Sequence, residues 1–256
     1  MKIQLIRHAT MLIEINGMSI LVDPMLSEAG KMAAVPGVAN SSANPLVDLP
    51  VEPSSLIDTD AILVTHTHRD HFDDAAREYL PSGSLLFCQP TDRAAIMDAG
   101  FINVQAIETS HQWNSIRIVR TGGQHGAGSI GQKMGPVSGF LLESKGEPSL
   151  YITGDTIWCD EVQKVLEEYQ PRIIICFAGA ARFSTGGPIT MTAEDLLQVS
   201  DYAPSAKIIA VHLEAWNHCG LTRDQLKDFV AEKGINEQVY VPYDGEWMNM
   251  ELQTNL

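Results

Sequence analysis

The chain opens with three short apolar runs of β type, at residues 2–7, 11–16 and 18–22. The last two flank Asn16-Gly17, a pair suited to the positive φ angles of a tight turn, so they predict a hairpin. Residues 24–50 break this pattern. They are rich in Ala, Gly, Pro, Ser and Asn and have no clean period. A connection this long predicts a functional loop or lid, or partial disorder. Its Ala-rich middle is a candidate for a short helix.

Beyond residue 60 the pattern alternates. Strands are expected at 61–65, 84–88, 103–107, 115–120, 137–143, 149–153, 172–177, 207–211, 238–242 and 246–251. Helices are expected at 73–80, at 91–99 opened by Thr91, at 160–169, at 192–202 with Thr192 as N-cap, and at 222–233. The last begins with Thr222 and Gln225 at capping-box spacing. The stretch 126–136 reads as a loop. A β-meander at 115–153 thus joins regions of β-α alternation, and no strong linker interrupts them. The pattern predicts one α/β or α+β domain spanning 1–256. Two mixed sheets would pack face to face, with helices on the outer faces.

Composition narrows the class. Hydrophobic residues form 45% of the 256, enough to bury a sizeable core. With 17 basic and 32 acidic residues, the formal net charge is −15. That balance disfavours nucleic acid or an anionic membrane surface as a general partner, since both need a basic footprint. A small anionic substrate stays open, because a bound metal reverses the local potential. Arg7 and His8 interrupt the first apolar run, so no signal-peptide core is expected. No stretch has the uncharged length of a membrane span. Cys88, Cys159, Cys176 and Cys219 include no CxxC pair and read as free thiols of a cytoplasmic protein. Cys219 follows a His by one residue, which leaves a metal or redox role open for it.

The chemistry concentrates in Ile62–Phe72, ILVTHTHRDHF. An apolar strand ends there, and His66, His68, Asp70 and His71 follow within six residues. His66 and His68 are two apart, so in extended chain they point the same way. Asp70 and His71 come after the chain turns and face a second point nearby. Imidazole and carboxylate are ligand types that zinc, manganese and iron accept. Three further candidates follow strand ends: His125 in the Gly-rich run TGGQHGAGSIG, Asp155 after SLYIT, and His212 at the end of KIIAVH. These seven donors suit two divalent ions. His66, His68 and His125 would hold one, Asp70, His71 and His212 the other, and Asp155 would bridge.

With these residues in this order, the chain resembles the metallo-β-lactamase fold superfamily over almost its whole length. Its opening, IRHATMLIEINGMSILVDP, is similar to the family's first hairpin. Within the superfamily it looks most like bacterial metal-dependent hydrolases related to ascorbate-6-phosphate lactonase and to the phosphodiesterases of N-acyl-ethanolamine phospholipids. The resemblance implies a four-layer αββα sandwich and a two-metal hydrolase acting on a small substrate. Two ions lower the pKa of a shared water and polarise the oxygen under attack. Asp70 would ligate one metal and orient the nucleophile. Zinc suits the donors best, with manganese or iron as alternatives. Relatives also suggest a homo-oligomer.

Other residues carry two readings each. Asp23 in LVDP is a turn former before Pro24, or a carboxylate that holds a metal-bound His in place. His8 is a structural His or a site-lining one. Trp113, Trp158 and Trp216 are core, or, for the latter two, pocket walls near metal ligands. Arg182 and Lys133 are surface charges or contacts for a substrate phosphate or carboxylate. His111 and His218 have no motif partner and read as structural or peripheral, with His218 a candidate for the pocket rim.

The leading expectation is hydrolysis of an ester, lactone, amide, thioester or phosphodiester. Redox chemistry is an alternative, since di-iron flavoproteins share the fold, but they place a Glu where His68 stands and add a flavin domain. A nuclease would need a basic surface. A non-catalytic metal-binding protein would be expected to have lost ligands. Export-type β-lactamase activity does not fit a chain without an export signal.

Overall fold

The computed structural model describes residues 1–250. The first sheet contains β1 (Lys2–Arg7), β2 (Thr10–Ile15), β3 (Met18–Val22), β4 (Ala61–Val64), β5 (Leu86–Cys88), β6 (Val104–Ala106) and β14 (Trp247–Asn249). Its order is β14-β1-β2-β3-β4-β5-β6. The hairpin half is antiparallel and the half from β3 to β6 is parallel. The second sheet contains β7 (Ser110–Trp113), β8 (Ile116–Thr121), β9 (Gly139–Ser144), β10 (Leu150–Ile152), β11 (Ile173–Phe177), β12 (Lys207–Val211) and β13 (Val239–Tyr240). Its order is β13-β12-β11-β10-β9-β8-β7, parallel from β13 to β10 and antiparallel beyond.

The run RIIICF explains how the layers form. Both faces of β11 are covered, so its apolar residues are continuous, as expected of a strand buried on two sides. Ile173, Ile175 and Phe177 enter the core between the sheets, with Leu5, Ile13, Leu63, Phe87, Phe140 and Ile152. Ile174 and Cys176 face outward under α4 (Asp160–Tyr169), α5 (Ala193–Tyr202) and α6 (Arg223–Glu232), through Val162, Leu196 and Leu226. On the other side, α1 (Asp74–Tyr79) and α2 (Arg93–Asp98) cover Ile62, Val64 and Leu86 through Ala76 and Ile96. The architecture is an αββα sandwich of two mixed sheets.

Local chemistry sets the helix starts. Thr192 and Thr222 both close capping boxes, with Asp195 and Gln225. The helix expected from Thr91 begins otherwise. Pro90–Asp92 is a 3-10 turn, and α2 starts after it without a side-chain cap. Two further elements depart from the expectation. β7 (SHQW) pairs with β8 although its residues are polar and half exposed. α3 (Gly128–Met134) fills part of the expected 126–136 loop.

Residues 24–50 contain no helix. Met32 and Asn44 form an isolated bridge across the segment. The fully buried Arg7 guanidinium donates to the carbonyls of Val47, Met25 and Ser27. Asn44 pairs with Asn217, whose side chain also bonds Val35 and Asn40. Every one of these bonds satisfies a backbone or amide group that the irregular segment leaves without a ladder partner. The predicted lid is therefore fastened at both ends and in the middle. Among the described residues no helix is long and apolar enough to cross a membrane.

Candidate metal centre

The site lies where strand ends of both sheets meet. β4 delivers His66, His68, Asp70 and His71. The loop after β8 brings His125, the turn after β10 brings Asp155, and the end of β12 brings His212. The amide of His212 donates to the His8 carbonyl at 2.9 Å, joining the two sheets beside the cluster. His8, Asp23 and His212 have φ angles of 62°, 43° and 67°. Left-handed backbone at non-glycine residues costs free energy, and it clusters where a site over-determines the chain.

Asp155 sits at the centre. Its Oδ2 is 3.2 Å from His71 Nε2, 3.4 Å from His125 Nε2 and 3.8 Å from His66 Nε2. Its Oδ1 is 3.3 Å from His212 Nε2. Asp70 Oδ2 stands 3.6 Å from both His71 Nε2 and His212 Nε2. His66, His68 and His125 form a second cluster whose donor atoms lie within 4.8 Å of one another. All seven sequence-predicted donors come together.

The rings are held from behind. His71 Nδ1 bonds Asp23 Oδ2 at 2.8 Å, and His125 Nδ1 donates to the Ile189 carbonyl at 2.7 Å. Each bond turns Nε2 toward Asp155. The buried atoms His71 Nε2, His212 Nε2 and Asp155 Oδ1 have no hydrogen-bond partner among the described residues. Three unpaired polar atoms converging at one point are what a cation would satisfy. Donors about 2.1 Å from a tetrahedral ion sit roughly 3.4 Å apart, which matches this spacing. The cluster is able to bind metal.

Electrostatics agree. Burial opposes charge on His71, yet the carboxylates of Asp155, Asp70 and Asp23 raise its pKa to about 10. His212 is likewise raised despite burial, chiefly by Asp155. Burial opposes ionisation of Asp70 and Asp155, but His71 and His212 hold both well below the usual carboxylate range. Burial keeps His66, His125 and His8 uncharged and ready as neutral donors.

His8 joins Asp70, His71 and His212 in a group whose donor atoms lie within 4.8 Å of one another, but its ring is stacked differently from the others. Two imidazoles bound edge-on to one ion place their ring centres roughly 5 Å apart. His71 and His212 are 5.2 Å apart, as are His68 and His125. His8 and His212 are only 3.6 Å apart, so His8 covers the face of the His212 ring. Its Nε2 also reaches Asp70 Oδ2 at 3.4 Å. Trp216 joins Met25, Met32 and Ala215 in an apolar cluster beside His8 and His218.

Other candidates lie elsewhere. Trp158 packs on Tyr202 over the outer helices, because its strand-end turn directs it away from the sheet interface. Arg182 is exposed and its Nε bonds the Ala180 carbonyl. Lys133 is exposed on α3. His111 lies on β7 against Phe87. Cys88, Cys159 and Cys176 are buried free thiols. Cys219 donates to the His212 carbonyl at 3.4 Å. His218, read from sequence as structural or peripheral and as a candidate for the pocket rim, is 93% buried with Nε2 3.8 Å from Asp70 Oδ2. Only the fold of the WNHC segment brings it there, so no local motif signals it.

A His/Asp cluster able to bind metal, at the seam of an αββα sandwich, defines a metal-dependent hydrolase class. The chain belongs to the β-lactamase superfamily: the model of the "Beta-lactamase superfamily domain" matches residues 19–213. It is similar to the UPF0173 protein YddR of Bacillus subtilis, 39% identical over 96% of this chain and 98% of that one. A solved isothiocyanate hydrolase from Delia radicum gut bacteria is 36% identical, with a TM-score of 0.95, covering 98% of this chain and 100% of that one. A possible metal-dependent hydrolase from Veillonella parvula is 33% identical, with a TM-score of 0.93, covering 96% and 98%. The protein is a metal-dependent hydrolase.

Proposed function

We propose that the enzyme uses two divalent ions, one held by His66, His68 and His125 and the other by Asp70, His71 and His212. The observation that carries this is Asp155, whose Oδ2 faces His66, His71 and His125 while Oδ1 faces His212. One carboxylate thus spans both positions. The His-rich, near-tetrahedral donors favour zinc over manganese or iron. When bound, such ions supply Lewis acidity and make water a usable nucleophile near neutral pH.

The chain's own residues do the rest. Asp23 and the Ile189 carbonyl fix the tautomers of His71 and His125. Asp70 orients the attacking water. The Trp216–Met25 cluster keeps bulk water from the floor of the site.

For the substrate, we propose a small, neutral electrophile, with isothiocyanates the first class to test. Two considerations support it: the 36% identical isothiocyanate hydrolase and the buried apolar cluster of Met25, Met32 and Trp216 beside His8 and His218. A phosphodiester would call for a free cation near the ions. The buried Arg7 is committed to three carbonyls. In the reaction, water adds to the central carbon of R–N=C=S, and cleavage of the C–N bond yields an amine and carbonyl sulfide. Esters, lactones and phosphodiesters, the classes suggested by sequence resemblance, are the comparison substrates. The proposal also takes the enzyme as cytoplasmic, able to form homo-oligomers and without nucleic-acid substrates, in keeping with a net charge of −15.

Elemental analysis of protein purified without chelators tests the reading. About two ions per chain, falling together with benzyl isothiocyanate hydrolysis in Asp155→Asn, is the expected result. A single ion, or full metal content and activity in that variant, would refute it.

A further inference from the structure

Burial across the site is graded. His8, His71 and His212 are fully buried, Asp155 is 1% exposed and His66 2%. Asp70 reaches 6% and His218 7%, and His68 is half-buried. The floor is therefore the His8–His71–His212 end. Exposure rises from there toward Asp70, His218 and His68.

His218 has no structural bond to explain it. Its Nδ1 is buried and unpartnered. Its Nε2 is 3.8 Å from Asp70 Oδ2, too far for a hydrogen bond. Neither ring nitrogen has a hydrogen-bond partner among the described residues. A nearly buried polar group left unpaired is costly, so such a group points to a missing partner. His218 also belongs to none of the donor clusters suited to an ion.

The backbone around it is rigid. The His218 carbonyl accepts from the amide of Arg182 at 3.0 Å, and Cys219 N–H donates to the Trp216 carbonyl at 3.0 Å. Asn217, its neighbour, is bonded to Asn44, Val35 and Asn40 across the 24–50 segment. The ring stands edge-on to Trp216, with centres 6.0 Å apart. A side chain fixed this firmly, yet unpaired, is preorganised for a ligand.

We propose that His218 is a substrate-binding residue: beside Asp70, its imidazole N–H donates a hydrogen bond to an acceptor atom of the substrate held over that carboxylate. The substrate must then carry a nitrogen, oxygen or sulfur acceptor next to its electrophilic carbon, with its organic group along the Trp216 side. This inference rests on the two-ion reading above. It adds the requirement for an acceptor atom and the residue that recognises it.

The probe is thiocyanate, a linear anion with an acceptor at each end, titrated into cobalt-loaded protein and followed by the visible cobalt spectrum. Wild type, His218→Leu, His218→Phe and His218→Gln are compared, with metal-to-protein ratio and thermal melting measured on each. The expected result is unchanged cobalt content in all four. Thiocyanate Kd should rise about tenfold in the Leu and Phe variants, the loss of one hydrogen bond, and recover within about threefold in Gln, whose amide still donates. The Phe variant keeps the ring's bulk and serves if Leu fails to fold. Unchanged thiocyanate affinity in the folded Leu or Phe variant would overturn the proposal. So would loss of cobalt from them, which would make His218 part of the metal-holding set. If wild type takes up no cobalt, the two-ion reading itself fails, and this inference falls with it before any variant is compared.

Discussion

Asp23 and His71 are bonded at 2.8 Å, carboxylate Oδ2 to ring Nδ1, with both side chains fully buried. The other side of Asp23 is equally committed: Oδ1 accepts the Thr65 amide at 2.7 Å and Oδ2 the Thr65 hydroxyl at 2.7 Å. One carboxylate thus ties the end of β4 to the histidine six residues on. Asp23→Asn keeps the shape but weakens the hold on the His71 tautomer. We expect a roughly 10–100-fold loss of metal affinity by chelator competition, with little change in fold by circular dichroism.

Metal uptake should depend on pH in a fixed direction. Taken as protein groups alone, His71 holds its proton to about pH 10, and His212 is also raised. Both must lose a proton to bind an ion, so affinity rises with pH. The sign for stability is opposite. A raised histidine pKa stabilises the metal-free fold fully below the unfolded value of about 6.5, and that contribution fades as pH climbs toward the folded value. Calorimetry of zinc binding in buffers of different ionisation enthalpy should detect roughly two protons released per chain near pH 7, one from each ring. No proton release would contradict the charge assignment.

Gly179 touches the back of His212. A Cβ there would collide with the His212 carbonyl and come within 3.0 Å of its Nδ1. Neither backbone can retreat without moving β11 or β12. Gly179→Ala should therefore cut metal retention and activity by more than tenfold, while Gly187→Ala, which meets nothing within 4 Å, changes neither. Parallel metal analysis of the two variants checks this.

Arg7 fastens the 24–50 segment from inside. Replacing it with Met leaves the carbonyls of Val47, Met25 and Ser27 without its donors. We expect a loss of about 3 kcal/mol or more in urea unfolding. We also expect faster proteolysis within 24–50 than in wild type. A resistant segment in Arg7→Met would show that the remaining Asn44–Asn217 bonds suffice.

Much of this was legible in the chain. RIIICF and KIIAVH announced central strands because both faces of the second sheet are covered, and HTHRDH announced the cluster because its donors are contiguous. What the local pattern does not carry depends on distant partners. SHQW is a strand only because β8 offers its edge, and GSIGQKM coils although two glycines weaken any helical signal. The Ala-rich part of 24–50 stays extended because Asn217, some 180 residues on, claims its backbone. His218 is marked in the sequence only by its spacing from His212; the fold, and no motif, carries it to Asp70.

The hydrogen bond from His212 N to His8 O marks a seam. One sheet brings His66, His68, Asp70 and His71 to it, and the other brings His125, Asp155 and His212. The distance between donors is thus the distance between two slabs, set by the thickness of the side chains packed between them. Phe140, Ile152 and Leu63 act as spacers in the core between the sheets. A change of one methylene in that filling alters the gap the ions must bridge. In this protein the core is part of the instrument that sets the spacing of the donors.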